Sequence, residues 1–240
     1  VSRIEDIWQL SMVNGYWRNG PVLNNAISGI DMALWDIKGK VAGMPVYDLL
    51  GGQSRAAAAT YTHANGSTPE EVCDQVRQFL DDGYRYVRIQ MGGYGGAALA
   101  SAGRRAVSGS ESFGGVPFDR GEYIRGTQTL VEYVRSQLGD EVELLHDVHE
   151  RLHPIQAVEL AKSLEPYHLF FLEDLFAPED IEWFAQVRGQ TTVSLAMGEL
   201  FNNPKEWQPL VEGRLIDFLR MHISQMGGIT PARNAAIFGN

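Results

Sequence analysis

Three carboxylates close three successive β-rich runs at an even interval. They are Asp147 in VELLHDVH, Glu173 in LFFLEDL and Glu199 in VSLAMGEL, each 26 residues from the next. Each run is short and apolar and is followed by a helical pattern, which is the signature of consecutive βα units. This alternation constrains the fold more than any other feature, because parallel strands need crossover helices and come to lie side by side in one sheet. The C-terminal ends of such strands face a common side. Three acids gathered there repel one another unless a cation lies between them, and hard oxygen donors suit Mg²⁺ better than zinc.

The remaining patterns extend the series. Strands are expected at about 57–63, 85–91, 142–148, 169–175, 193–200 and 216–222. Helices are expected at about 24–43, 69–82, 122–138, 154–164, 178–188 and 204–212, and from about 230 onward. The helix at 24–43 is read with Ile27, Ile30, Ala33, Leu34, Ile37 and Val41 as its core stripe. Segment 92–121 is rich in Gly, Ser and Ala and has no clear period. After the second strand of a barrel it would hang over the mouth as a lid. Six strands are two short of a closed eight-strand barrel, and an open barrel would leave two unpaired edges. The expected fold class is α/β, and strand count leaves open whether it is an open sheet or a TIM-type (β/α) barrel truncated to about six of its eight units. A doubly wound sheet is the competing arrangement. The start at Val1 and the end on FGN read as those of an internal piece of a longer protein.

Composition narrows the function. A net charge of −10, with no basic stripe carrying interleaved aromatics, argues against nucleic acid as a partner. No apolar run reaches membrane-span length, and the opening residues IEDIWQLSM are not expected to be a secretory leader. The one cysteine, Cys73, has no second cysteine for a disulfide or a zinc site, which fits a reducing, cytoplasmic setting. The glycine pairs at 92–93, 95–96 and 227–228 make no dinucleotide fingerprint. GGIT at 227–230 would present helix N-terminal amides to an anion.

The candidate site residues follow from strand periodicity. Asp147 and His149 stand two apart on one expected strand and share a face. An imidazole beside a metal-holding acid suits proton transfer; a structural hydrogen bond for His149 is the bland alternative. His146 faces the other way and is read as structural, and His153 as a neighbour of a helix cap. Only one of Glu173 and Asp174 is expected to face inward, and the even spacing favours Glu173. Arg88 and Gln90 share a face on the second strand; Arg88 cannot deprotonate and suits carboxylate binding. Arg220 and His222 repeat that arrangement on the sixth strand, and His63 ends the first.

Several of these segments resemble one family. SGIDMALWDIKGKVAGMPVYDLLGG resembles the junction of capping domain and barrel in the enolase superfamily, and HDVH, LED and GE resemble its strand-end metal ligands. YTHANG, VRIQ, LLHDVHERLHP, LEPYHLFFLED, AMGELFNNP and LIDFLRMHISQMGGIT resemble the mannonate dehydratase subgroup, which acts on acid sugars. The resemblance implies residues 1–52 as the end of the capping domain with its junction helix, and 53–240 as a partial barrel, the truncated TIM-type arrangement rather than an open sheet. It implies Mg²⁺ held by Asp147, Glu173 and Glu199, with His149 as an acid/base residue and His63, Arg88 and Arg220 near the substrate. The implied chemistry is proton abstraction α to a carboxylate, stabilisation of the enediolate by the metal, and loss of the β-hydroxyl as water. The product is a 2-keto-3-deoxy acid from a mannonate- or gluconate-type hexonate. Homo-oligomers are expected by the same resemblance.

The chain departs from that pattern in one place within its length. The family pairs the Arg of the second strand with a Tyr a dozen residues on, where this chain has Ala100; Tyr94 is the nearby candidate. An epimerase or racemase acting on a hydroxy acid, and a catalytically silent regulator that binds metal and acid sugar, are the competing functions.

Overall fold

Prolines and short polar caps set where the helices begin. Pro21, Pro69, Pro154 and Pro204 each stand at the start of a helix, where the fixed φ of proline suits the first turn and its missing N–H has no partner to lose. Thr68 and Asp119 accept hydrogen bonds from the amides of Glu71 and Glu122, and Asn203 accepts from that of Lys205. The computed structural model describes residues 1–92 and 118–239. Its helices are α1 (Ile4–Asn14), α2 (Pro21–Ala42), the short α3 (Val46–Leu49), α4 (Pro69–Asp81), α5 (Arg120–Leu138), α6 (Pro154–Leu164), α7 (Trp183–Arg188), α8 (Pro204–Glu212) and α9 (Ile229–Phe238).

The strands are β1 (Tyr61–Gly66), β2 (Tyr86–Met91), β3 (Glu143–Asp147), β4 (Phe171–Glu173), β5 (Leu195–Met197) and β6 (Phe218–Leu219). They form one sheet in chain order, β1 to β6, and the pairs from β1 to β5 are parallel. Sequential parallel strands joined by helices are the expected (β/α) barrel-type succession, with six strands of it present among the described residues. Several boundaries move, and β4, β5 and β6 are shorter than the expected strands. The first strand begins at Tyr61 rather than near 57, so His63 is its third residue and not its end. The seventh helix begins at Trp183, after a 3₁₀ turn at Pro178–Asp180. No helix among the described residues is long and apolar enough to cross a membrane.

The chain divides into two compact units, residues 59–196 and residues 1–58 with 197–240. In the first, Val87, Ile89, Leu144 and Leu145 of the strands are fully buried, as are Val72 and Val76 of α4 and Leu130, Val131 and Val134 of α5. Arg135 on α5 ties the entries to β3 and β4. Its guanidinium donates to the carbonyls of Gly139, Val142, Tyr167 and His168 at 2.7–3.0 Å.

In the second unit, α2 buries a different face from the expected one. Ile27 and Trp35 are buried together with Asn24, Ser28, Asp31 and Gly39, whereas Ile30, Ile37 and Val41 are exposed. Hydrogen bonds decide the face. Asp31 accepts from the amide and hydroxyl of Thr230 at 3.0 and 2.5 Å, and the Trp35 indole donates to the same hydroxyl at 2.9 Å. The anion expected at GGIT is thus the chain's own Asp31, seated so closely that a Cβ on Gly228 would lie 2.5 Å from its carboxylate.

Candidate active site

The last residues of β3 and β4 stand side by side, with Asp147 paired in register with Glu173. Asp147, Glu173 and the following Asp174 are all at most 2% exposed. Beyond Asp147 the chain does not continue as a strand. His149 and Glu150 take left-handed backbone, with φ of 53° and 59°. The turn is held by the Val148 amide donating to the Glu173 carbonyl and the Glu150 amide donating to that of Asp174, at 2.9 and 3.0 Å. The expectation that His149 shares a strand face with Asp147 is therefore corrected. It is the left-handed turn that brings its ring nitrogen, an Asp147 oxygen and an Asp174 oxygen within 4.8 Å of one another. Non-glycine residues with positive φ are uncommon and concentrate at functional sites.

Asp174 is the residue that strand periodicity missed. Adjacent residues of a flat strand face opposite ways, but Asp174 itself has φ 45°, which ends the alternation after Glu173. Both acids are buried, and Asp174 joins the cluster.

Arg88 on β2 is 3% exposed and donates from Nη1 to Oδ2 of Asp147 at 3.2 Å. It does hold a carboxylate, and the carboxylate is the protein's own. Gln90, two residues on, is buried beside it. His63 is exposed on β1, its ring 5.4 Å from that of Tyr61. Tyr61 reaches further, and its hydroxyl donates to Oε2 of Glu173 at 3.2 Å.

His146 has the structural place expected of it. Its Nδ1 lies 2.9 Å from the carbonyl of Ile89, so Nδ1 carries the proton and Nε2 accepts from the Tyr123 hydroxyl, also at 2.9 Å. Burial pushes its pKa down to about 4, with Arg88 and Arg151 acting in the same direction against the Ile89 carbonyl, so the ring is neutral. Burial likewise raises the Tyr123 phenol above its ordinary range. His153 is the N-cap residue of α6.

In the other unit, Glu199 follows β5 and accepts from Nη1 of Arg220 at 2.9 Å, both side chains being about one-third exposed. β6 ends at Leu219, so Arg220 and His222 lie beyond the strand rather than on it. The His222 ring lies 2.8 Å from the Ser224 hydroxyl. Tyr94 and most of segment 92–121 lie outside the described residues.

The donor chemistry fits a hard divalent cation. Two carboxylates and one imidazole converge at the ends of adjacent parallel strands, and a third carboxylate stands in register beside them. Oxygen-rich sets of this kind suit Mg²⁺.

Comparison with known proteins gives the same picture. Residues 71–238 match the enolase C-terminal domain-like family, and residues 1–51 match the N-terminal domain of mandelate racemase and muconate lactonizing enzyme. The chain is 52% identical to a D-galactonate dehydratase family member of Pantoea ananatis over 99% of its own length and 60% of the relative's. A member from Musicola paradisiaca is 50% identical over the same shares. The chain thus spans about 60% of the length of these curated relatives. A crystal structure of an enolase from Pantoea ananatis with bound D-gluconate and Mg superposes with a TM-score of 0.93 at 51% identity, covering 99% of this chain and 60% of that one. An enolase superfamily member from Salmonella Typhimurium shares the fold at 22% identity, with a TM-score of 0.82 and 99% of this chain and 63% of that one covered. With both parts of the chain matched in order and the parallel βα succession in place, this chain belongs to the enolase superfamily.

Proposed function

We propose that this protein is a Mg²⁺-dependent dehydratase of sugar acids, converting a hexonate to its 2-keto-3-deoxy acid. The observation that carries the reading is the convergence of Asp147, Asp174 and His149 within 4.8 Å, beside Glu173, at the C-terminal ends of β3 and β4. Asp147 and Glu173 are assigned to the metal. Glu199 is assigned to it on the 26-residue spacing and the family resemblance. Mg²⁺, when bound, supplies positive charge where a carboxylate-bearing substrate develops a second negative charge on losing its α-proton.

The chain's own residues supply the rest. Arg88 fixes the orientation of the Asp147 carboxylate. His149 is the acid/base residue. The C–H bond α to the carboxylate breaks, the β C–O bond breaks, and the departing hydroxyl takes up a proton to leave as water. The resulting enol becomes the 2-keto-3-deoxy acid without change of oxidation state. His63, Arg88 and Arg220 are assigned to the substrate, and Tyr94 to the partner role that the family gives a tyrosine beyond the second strand. A gluconate-type hexonate is favoured over mannonate, because the Pantoea ananatis structure holds D-gluconate and the curated relatives carry galactonate in their names. A cytoplasmic setting and self-assembly belong to the same proposal.

The test is a panel of hexonates and pentonates with Mg²⁺, read as 2-keto-3-deoxy product from the full-length protein. Turnover of at least one is expected, with His149→Asn slowing it by roughly 100-fold or more while Mg²⁺ binding is largely kept. Binding of Mg²⁺ and acid sugar without turnover of any of them would sink the dehydratase and support the silent regulator. Loss of metal binding in His149→Asn would move the imidazole from acid/base duty to the ligand set.

A further inference from the structure

We propose that Tyr61 is a positioning residue that sets the metal affinity of the site through Glu173; this rests on the reading of Glu173 as a Mg²⁺ ligand. Tyr61 opens β1, with two strands lying between it and β4 in the sheet order, yet its hydroxyl lies 3.2 Å from Oε2 of Glu173. A long reach across intervening strands is productive only if the ring is held. Tyr61 is held on two sides, with its ring edge-on to Phe171 at 6.2 Å and tilted against His63 at 5.4 Å. Phe171 sits two residues before Glu173 on β4, so one aromatic contact and one hydrogen bond fix Tyr61 to the same face of one strand. Leu145, Phe171 and Ala196 form a buried cluster on which Tyr61 packs.

The arrangement leaves Glu173 with one oxygen committed to a phenol. A carboxylate whose second oxygen is held presents the first in a fixed direction, and partners of this kind govern ligand orientation and metal affinity. Tyr61 also carries the ring of His63 on the same strand face, which links the orientation of a substrate-side imidazole to that of a metal-side acid.

The experiment is Mn²⁺ binding by electron paramagnetic resonance, with Mg²⁺ as competitor, on the full-length protein and its Tyr61→Phe variant. Removing the hydroxyl should weaken Mn²⁺ affinity by about tenfold. The melting temperature without metal reports whether Tyr61→Phe folds as the parent does. A Tyr86→Phe control, which takes a hydroxyl from the neighbouring strand, should leave the affinity where it was. In turnover, the Tyr61→Phe defect should shrink as Mg²⁺ is raised, because positioning is lost and chemistry is not. Unchanged Mn²⁺ affinity in a folded Tyr61→Phe variant would overturn the proposal while leaving the metal site standing. Absence of Mn²⁺ binding in the parent protein would overturn the Mg²⁺ reading itself, and this proposal with it.

Discussion

Single residues in this chain take their roles from the backbone as much as from their chemistry. Left-handed φ at His149 and at Asp174 sends both side chains to the same place. The two histidines at the end of β3 and just beyond it illustrate the point. His146, locked between Ile89 and Tyr123, is neutral and structural, while His149, three residues on, sits in the cluster. Glu165 shows the same economy at the surface. It accepts from the amide and the hydroxyl of Thr192 at 2.6 and 2.9 Å, and these bonds hold its carboxyl below its ordinary value. Because the folded form prefers the ionised group, the unfolded chain takes up the proton first as pH falls. Its contribution to stability is therefore present above the ordinary value of 4.5 and lost as pH drops below it. Glu165→Gln should lower the melting temperature slightly at pH 7, with the gap to the parent closing as pH falls below 4.5. A gap that does not change with pH would refute the assignment.

At the scale of elements, short strands depend on close approach. β5 is three residues long and β6 two, and the two are tied where the Arg220 amide donates to the Met197 carbonyl at 2.9 Å. Gly198 stands at that junction with φ 140°, and a Cβ there would lie 2.7 Å from the Arg220 carbonyl oxygen. The nearest atoms are backbone, so a side chain could be accommodated only by moving the chain just after β6. Gly198→Ala should cost about 2 kcal/mol or more of unfolding free energy, read as a lowered urea midpoint with unchanged slope, and should disturb the Glu199–Arg220 ion pair that follows it. A midpoint equal to the parent's would show that β6 yields easily. The buried face of α2 was not legible in its apolar spacing for a related reason. Ile30, Ile37 and Val41 fit a helical stripe, but Asp31 and Trp35 satisfy Thr230 only when the helix turns another face inward.

For the whole molecule, the proposed function makes folding and metal binding one equilibrium. Any ligand that binds only the folded chain stabilises it by RT ln(1 + [L]/Kd), about 2.7 kcal/mol at 100 times Kd. For a chain of this length that corresponds to a melting shift on the order of 5 °C or more. The full-length protein should therefore melt higher in Mg²⁺ than in EDTA, and Asp147→Asn should remove most of the difference. Equal melting temperatures in saturating Mg²⁺ and in EDTA would sink the metal reading before any substrate is tried.

The amino-acid sequence by itself determined the alternation of strands and helices, the strand ends that carry Asp147, Glu173 and Glu199, and the structural place of His146. Hydrophobic periodicity and proline or cap positions are local properties, and they specify elements without reference to partners. Tertiary structure decided what local patterns cannot encode. The left-handed turn after Asp147 places His149, the break in alternation turns Asp174 inward, and Asp31 occupies the amides that sequence alone left open to an outside anion. Folding β1 and β4 into one unit likewise brings the Tyr61 hydroxyl to Glu173. Each of these depends on contacts between residues far apart in the chain, where the free energy of hydrogen bonds and close packing overrides local preference.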